Sequence, residues 1–135
     1  MSDEPSVTLT RLAGSPRPKV VLVSHGWGGG VRRHVGELAN ALADRADVLL
    51  LEPAGRDVVH LWSSHDGDRF DAWFAYPGDR GTLAALLRGL GVAWMHYHHV
   101  DGLPRDVLEL ASDVGVPFDV TLHDAYSYCP RYHLD

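Results

Sequence analysis

The chain has 135 residues, with 12 Lys and Arg against 18 Asp and Glu and a formal net charge of -6. Its 45% hydrophobic and 22% charged content is that of one ordinary globular domain, and the length is too short for two. The acidic balance excludes a general nucleic-acid binder, which needs a basic surface to neutralise phosphates. Cys129 is the single cysteine, so no intrachain disulfide can form, which suits a reducing compartment. No apolar run approaches membrane-spanning length, and the N-terminus lacks the apolar core of a signal peptide. The expectation is a cytoplasmic protein without a transmembrane segment, with any membrane contact peripheral at the inner face.

Residues 1–18 are polar and hold Pro5, Pro16 and Pro18. They read as a mobile lead-in with a short strand over Val7 to Leu12. The domain proper is expected over 19–135. Lys19 to Ser24 is a strand, apolar on both faces and bounded by Pro18 and Gly26. A glycine-rich turn follows, and then a helix from Val31 to about Arg45. That helix carries Val31, Val35, Leu38, Ala39 and Leu42 on one stripe.

Asp47 to Glu52 is a second buried strand, stopped by Pro53 and Gly55. Val58 to Trp62 and Phe70 to Ala75 form a strand pair around Ser64-His65-Asp66-Gly67-Asp68. After the break at Pro77-Gly78-Asp79 comes a helix with Leu83, Leu86, Leu87 and Leu90 at helical spacing, ended by Gly91. Val92 to Tyr97 is a strand. A helix opens at Asp101-Gly102-Leu103-Pro104, buries Val107, Leu110, Ala111 and Val114, and closes at Gly115 and Pro117. Phe118 to Leu122 is the last strand. This alternation predicts an α/β fold: a Rossmann-like three-layer sandwich with a mostly parallel sheet and helices on both faces. Ligands of such sheets collect beyond the carboxyl ends of the strands, where the polar motifs fall.

The first motif is Ser24-His25-Gly26-Trp27-Gly28-Gly29-Gly30, running into Val31-Arg32-Arg33-His34. Glycines let backbone approach a ligand closely, and a helix start offers free N–H groups to anions and sugar oxygens. The turn fits a dinucleotide fingerprint poorly, because Val31 stands where the last glycine belongs. It also resembles the oxyanion-hole loop of α/β hydrolases, but no Gly-x-Ser-x-Gly elbow exists. Arg32, Arg33 and His34 read either as a solvated helix face or as groups steering an anionic ligand.

The second motif is His96-Tyr97-His98-His99-Val100-Asp101. It is similar to the His-x-His-x-Asp-His of metallo-β-lactamase-like hydrolases, with the aspartate misplaced by one and the final histidine missing. On an extended segment His96 and His98 share one face. They read as cleft-lining groups, with metal ligation as the alternative. The third motif ends the last strand with His123-Asp124. There a histidine can donate to a substrate hydroxyl and a carboxylate can orient it. Trp27, Tyr97, Tyr126 and Tyr128 are candidates to line a carbohydrate cleft or to fill the core.

In their order and spacing, these segments resemble the N-terminal domain of the retaining GT-B glycosyltransferases (family 4-like, group 1). The residues carrying the likeness are Gly28 to Ala39, His96 to Pro104, and Val120 to Asp124 with Cys129-Pro130. The resemblance implies an enzyme that transfers a sugar from a nucleotide-sugar to a glycan, lipid or small-molecule acceptor. It implies that this domain binds acceptor and that His123 and Asp124 are the catalytic residues, with His123 contacting the transferred sugar. Gly28, Gly29, Gly30, Arg32, Arg33, His34, His98, His99 and Asp101 are the expected donor- and acceptor-binding residues. No metal or other cofactor is expected. The resemblance further implies that the donor-binding domain is missing, that the present domain is incomplete after Asp135, that the chain alone is inactive, and that exposed surface allows self-association. The rival expectations are a non-catalytic sugar- or phosphate-binding module, and a metallohydrolase using His96, His98 and His123.

Overall fold

A computed structural model describes residues 7–24, 37–42, 44–65, 68–98 and 105–120. Six strands form one mixed sheet in the order β4-β3-β2-β1-β5-β6. The strands are β1 (Lys19–Val23), β2 (Asp47–Pro53), β3 (Val58–His65), β4 (Asp68–Ala75), β5 (Val92–Tyr97) and β6 (Phe118–Val120). β1 is parallel to β2 and β5, and β5 is parallel to β6. β3 is antiparallel to both β2 and β4, so among the described strands it alone runs against the others. The sheet is therefore mostly parallel in strand direction, extended on one flank by a hairpin.

The helices are α1 (Val7–Gly14), the helical residues 37–42 (α2), α3 (Arg80–Leu90) and α4 (Leu110–Val114), the last preceded by a 3-10 turn at Arg105–Glu109. Two left-handed glycines stop helices where sequence reading put the stops. Gly91 (φ 77°) caps α3, and its N–H bonds back to Arg88 and Leu87; Gly115 (φ 83°) caps α4. The helix expected to open at Asp101 begins, in its described part, as the 3-10 turn and becomes α-helical only at Leu110.

Residues 7–14 are helical, which corrects the strand expected at Val7 to Leu12. The β-branched Val7, Thr8 and Thr10 favour a strand by propensity. Burial of Leu12 in the core outweighs that preference, because tertiary packing overrides a weak local bias.

The register divides the sheet into two faces. Val21, Val23, Leu49, Leu51, Val59, Leu61, Phe70, Phe74, Met95 and Tyr97 share one face and are buried. Leu12 of α1, Leu83, Leu87 and Leu90 of α3, and Leu110 and Val114 of α4 belong to the same core cluster. Arg80 of α3 joins the helices by binding Asp113 through Nε and, at 2.9 Å, through a terminal nitrogen. At the amino end, the buried Lys19 ammonium donates to the Ser15 carbonyl at 3.1 Å and lies 3.8 Å from Asp47.

Candidate functional site at the carboxyl end of the sheet

The chain leaves β1 toward β2 on one side, whereas β5, on the other side of β1, leads on to β6. Neighbouring strands whose onward connections diverge leave a crevice at their carboxyl ends, the usual ligand position in open α/β sheets. Val23, Tyr97 and Val120 are successive partners across β1, β5 and β6. These three residues thus stand level on neighbouring strands, and at about 4.8 Å per strand they lie within roughly 10 Å of one another.

Ser24 and His98 stand at the first two exits. The Ser24 N–H donates to the Leu51 carbonyl at 3.0 Å and the His98 N–H to the Val23 carbonyl at 2.8 Å, so both extend the ladder by one residue. Both side chains are buried, His98 at 1% exposure. The His98 ring meets the His96 ring edge-on, with centroids 4.3 Å apart. His96 and His98 are therefore adjacent, as their spacing suggested.

Of the expected binding residues, His98 is placed by the structure. Gly28, Gly29, Gly30, Arg32, Arg33, His34, His99, Asp101, His123 and Asp124 lie outside the described residues, as do Trp27, Tyr126, Tyr128 and Cys129. Tyr97, a candidate for a sugar cleft, belongs to the core instead: it is fully buried and its hydroxyl donates to the Val107 carbonyl at 2.7 Å. Among the described residues no cluster of three or more metal-ligating side chains occurs, and His123, required by the metallohydrolase reading, is not among them.

Two groupings escaped sequence reading, both on the sheet face opposite the core. On β5 and β6, one Asp119 oxygen accepts from the Trp94 indole at 2.7 Å and contacts His96 Nδ1 at 2.5 Å. Partial burial raises the Asp119 carboxyl, but the bonds from Trp94 and His96 outweigh it and hold it below the usual carboxylate range. The bond also favours the His96 tautomer with its proton on Nδ1. Asp119 is 23 positions from His96, so only the β5–β6 pairing brings them together.

The second grouping lies on the hairpin. His60 faces Trp73 directly across β3 and β4, with parallel rings 4.6 Å apart. His60 Nε2 contacts Asp71 at 2.6 Å, and the Trp62 indole donates to Glu52 at 2.7 Å. The alternation Val59-His60-Leu61-Trp62 was the available signal, since it puts His60 and Trp62 on one face.

No protein-family model, curated protein or solved structure matches the chain.

Proposed function

We propose that the chain is the acceptor-side domain of a retaining glycosyltransferase of the GT-B class, acting with a donor-binding domain that holds the nucleotide-sugar. The observation that carries this reading is the shared register of Val23, Tyr97 and Val120 on the parallel strands β1, β5 and β6. Each of the three sequence motifs begins where one of these strands ends: the glycine turn after β1, the histidine segment at the end of β5, and His123-Asp124 shortly after β6. In this reading the sequence that follows each strand supplies glycines for close backbone approach, imidazoles for hydroxyl groups, and a His-Asp pair.

The fold supports the same reading. In this reading a right-handed crossover carries α2, between β1 and β2, to the sheet face opposite α3 and α4, giving a Rossmann-like three-layer arrangement. In this reading Gly28, Gly29 and Gly30 approach the sugar and the diphosphate, and Arg32, Arg33 and His34 supply positive charge. His98, His99 and Asp101 hold acceptor hydroxyls, and His123 with Asp124 meets the transferred sugar. Charge developing on the leaving diphosphate is met by basic side chains and a helix N-terminus, so the reading calls for no metal.

The test is titration of the isotope-labelled chain with short glycans and, separately, with nucleotide-sugars. Glycans should shift the backbone signals of Ser24 and His98, and His123→Ala should weaken that binding. Nucleotide-sugars should bind weakly. Tight nucleotide binding by this chain alone, or no response of Ser24 and His98 to any glycan, would overturn the assignment.

A further inference from the structure

Trp73 is the most exposed of the large hydrophobic side chains described, at 60% exposure, and it lies on β4, an edge strand of the sheet. Exposed tryptophans are usually loosely held, but this ring is not. Its neighbour across the ladder, His60, lies parallel to it within 5°, at a centroid distance of 4.6 Å. His60 is in turn anchored to Asp71 at 2.6 Å. Beyond His60, Trp62 lies 6.4 Å away at 20° and donates to Glu52. Three rings thus lie together on one face of the hairpin, with Asp71 holding His60 and Glu52 holding Trp62.

The geometry has a direct consequence. Because β3 and His60 cover one face of Trp73, the opposite face looks out past the sheet edge. The result is a preordered, flat indole surface beside carboxylate groups, on a chain of net charge -6. The axial C–H groups of a pyranose present an apolar, slightly positive face that suits the negative face of an indole. The acidic groups nearby suit hydroxyls and repel phosphate. Preordering lowers the entropy lost on binding.

We infer that Trp73, stacked on His60, is a sugar-binding platform, a remote subsite for an oligosaccharide. The inference rests on the acceptor-domain reading above and adds the class of acceptor. β4 stands four strand positions from β5, so at about 4.8 Å per strand the platform is roughly 20 Å from His98. One monosaccharide does not reach both places, whereas a short oligosaccharide does. The acceptor class is therefore a neutral oligosaccharide, with Trp73 gripping units distant from the reacting end.

The experiment uses the full chain and neutral gluco- and manno-oligosaccharides of one to six units, read by the indole N–H signal of Trp73 and the backbone signals of Ser24 and His98. The expected result is a shift of the Trp73 signal that appears only with the longer sugars, together with shifts at Ser24 and His98. Trp73→Ala should cost about tenfold in affinity for the longest sugar and leave monosaccharide binding unchanged. Trp73→Phe should recover part of the loss. Shifts at Ser24 and His98 with none at Trp73 would overturn the platform and leave the acceptor-domain reading standing. Shifts at Trp73 alone would keep the platform and remove that reading. Response of Trp73 to tetramethylammonium but to no sugar, or to protein concentration alone, would replace the sugar by a cation or by a second copy of the chain, and either would overturn the proposal.

Discussion

The Tyr97 hydroxyl donates to the Val107 carbonyl at 2.7 Å, which ties the last residue of β5 to the 3-10 turn ten positions further on. Both residues are fully buried, and burial pushes the Tyr97 phenol well above its ordinary range. The bond fixes the two ends of the segment that carries His98, His99 and Asp101. Tyr97→Phe strands a buried carbonyl without its donor. We expect a loss of about 1–3 kcal/mol in urea unfolding with an unchanged denaturant slope.

Asp119 provides a pH signature. Its folded-state carboxyl sits below the ordinary carboxylate range, so its ionised form favours the folded protein. That contribution is fully present above the unfolded carboxylate value of about 4 and disappears as pH falls through the folded value. Asp119 is half exposed, so solvent screening keeps the effect at about 1 kcal/mol or less. Asp119→Asn should therefore be slightly less stable than wild type at pH 7. The gap between the two unfolding curves should close in strong acid; a gap independent of pH would remove the ionic account.

Two glycines of one helix should respond in opposite directions. Gly91 caps α3 at φ 77°, a conformation that costs an L-residue about 1–2 kcal/mol. Gly89 lies within the helix with open space where a methyl group would go. Gly91→Ala should lower the thermal midpoint, whereas Gly89→Ala should raise stability by about 0.5–1 kcal/mol.

Core and surface leucines give a calibration of the two layers. Leu61 is fully buried at the centre of β3, and Leu87 is its counterpart on α3. Leu61→Ala and Leu87→Ala should each cost about 2–5 kcal/mol by chemical denaturation. Leu108 is 39% exposed, and Leu108→Ala should change stability by about 0.5 kcal/mol or less.

Much of the architecture was legible because an unbroken apolar run marks a strand inside a sheet. Val-Val-Leu-Val of β1 and Val-Leu-Leu-Leu of β2 carry no polar interruption, and the structure puts these two strands in parallel register. Gly91 and Gly115 were readable as stops because a left-handed cap excludes most other residues. α1 was not legible, since its burial depends on Leu12 meeting a sheet made from residues far along the chain. The Asp119 contact was hidden for the same reason, since it forms only through the pairing of β5 with β6, whereas the Asp71 contact depends on the residue-by-residue register of a hairpin whose strands were themselves legible. His98 was legible at the site because it follows an apolar strand directly.

The position of β1 also governs how the sheet assembles. β3 and β4 are neighbours in sequence, and His65 pairs with Asp68, so this hairpin can close within microseconds. β1 and β5 are partners 73 positions apart, from Lys19 to Val92, and β5 reaches β1 only after the chain has crossed back over the flank that holds the hairpin. Contacts so distant in sequence impose a large loop-closure cost before they stabilise anything. Refolding should therefore yield an early species with the Trp73–His60 pair already stacked and the β1–β5 seam still open. Tryptophan fluorescence would then recover in an early phase, and the end of the sheet where Ser24 meets His98 would come into being last.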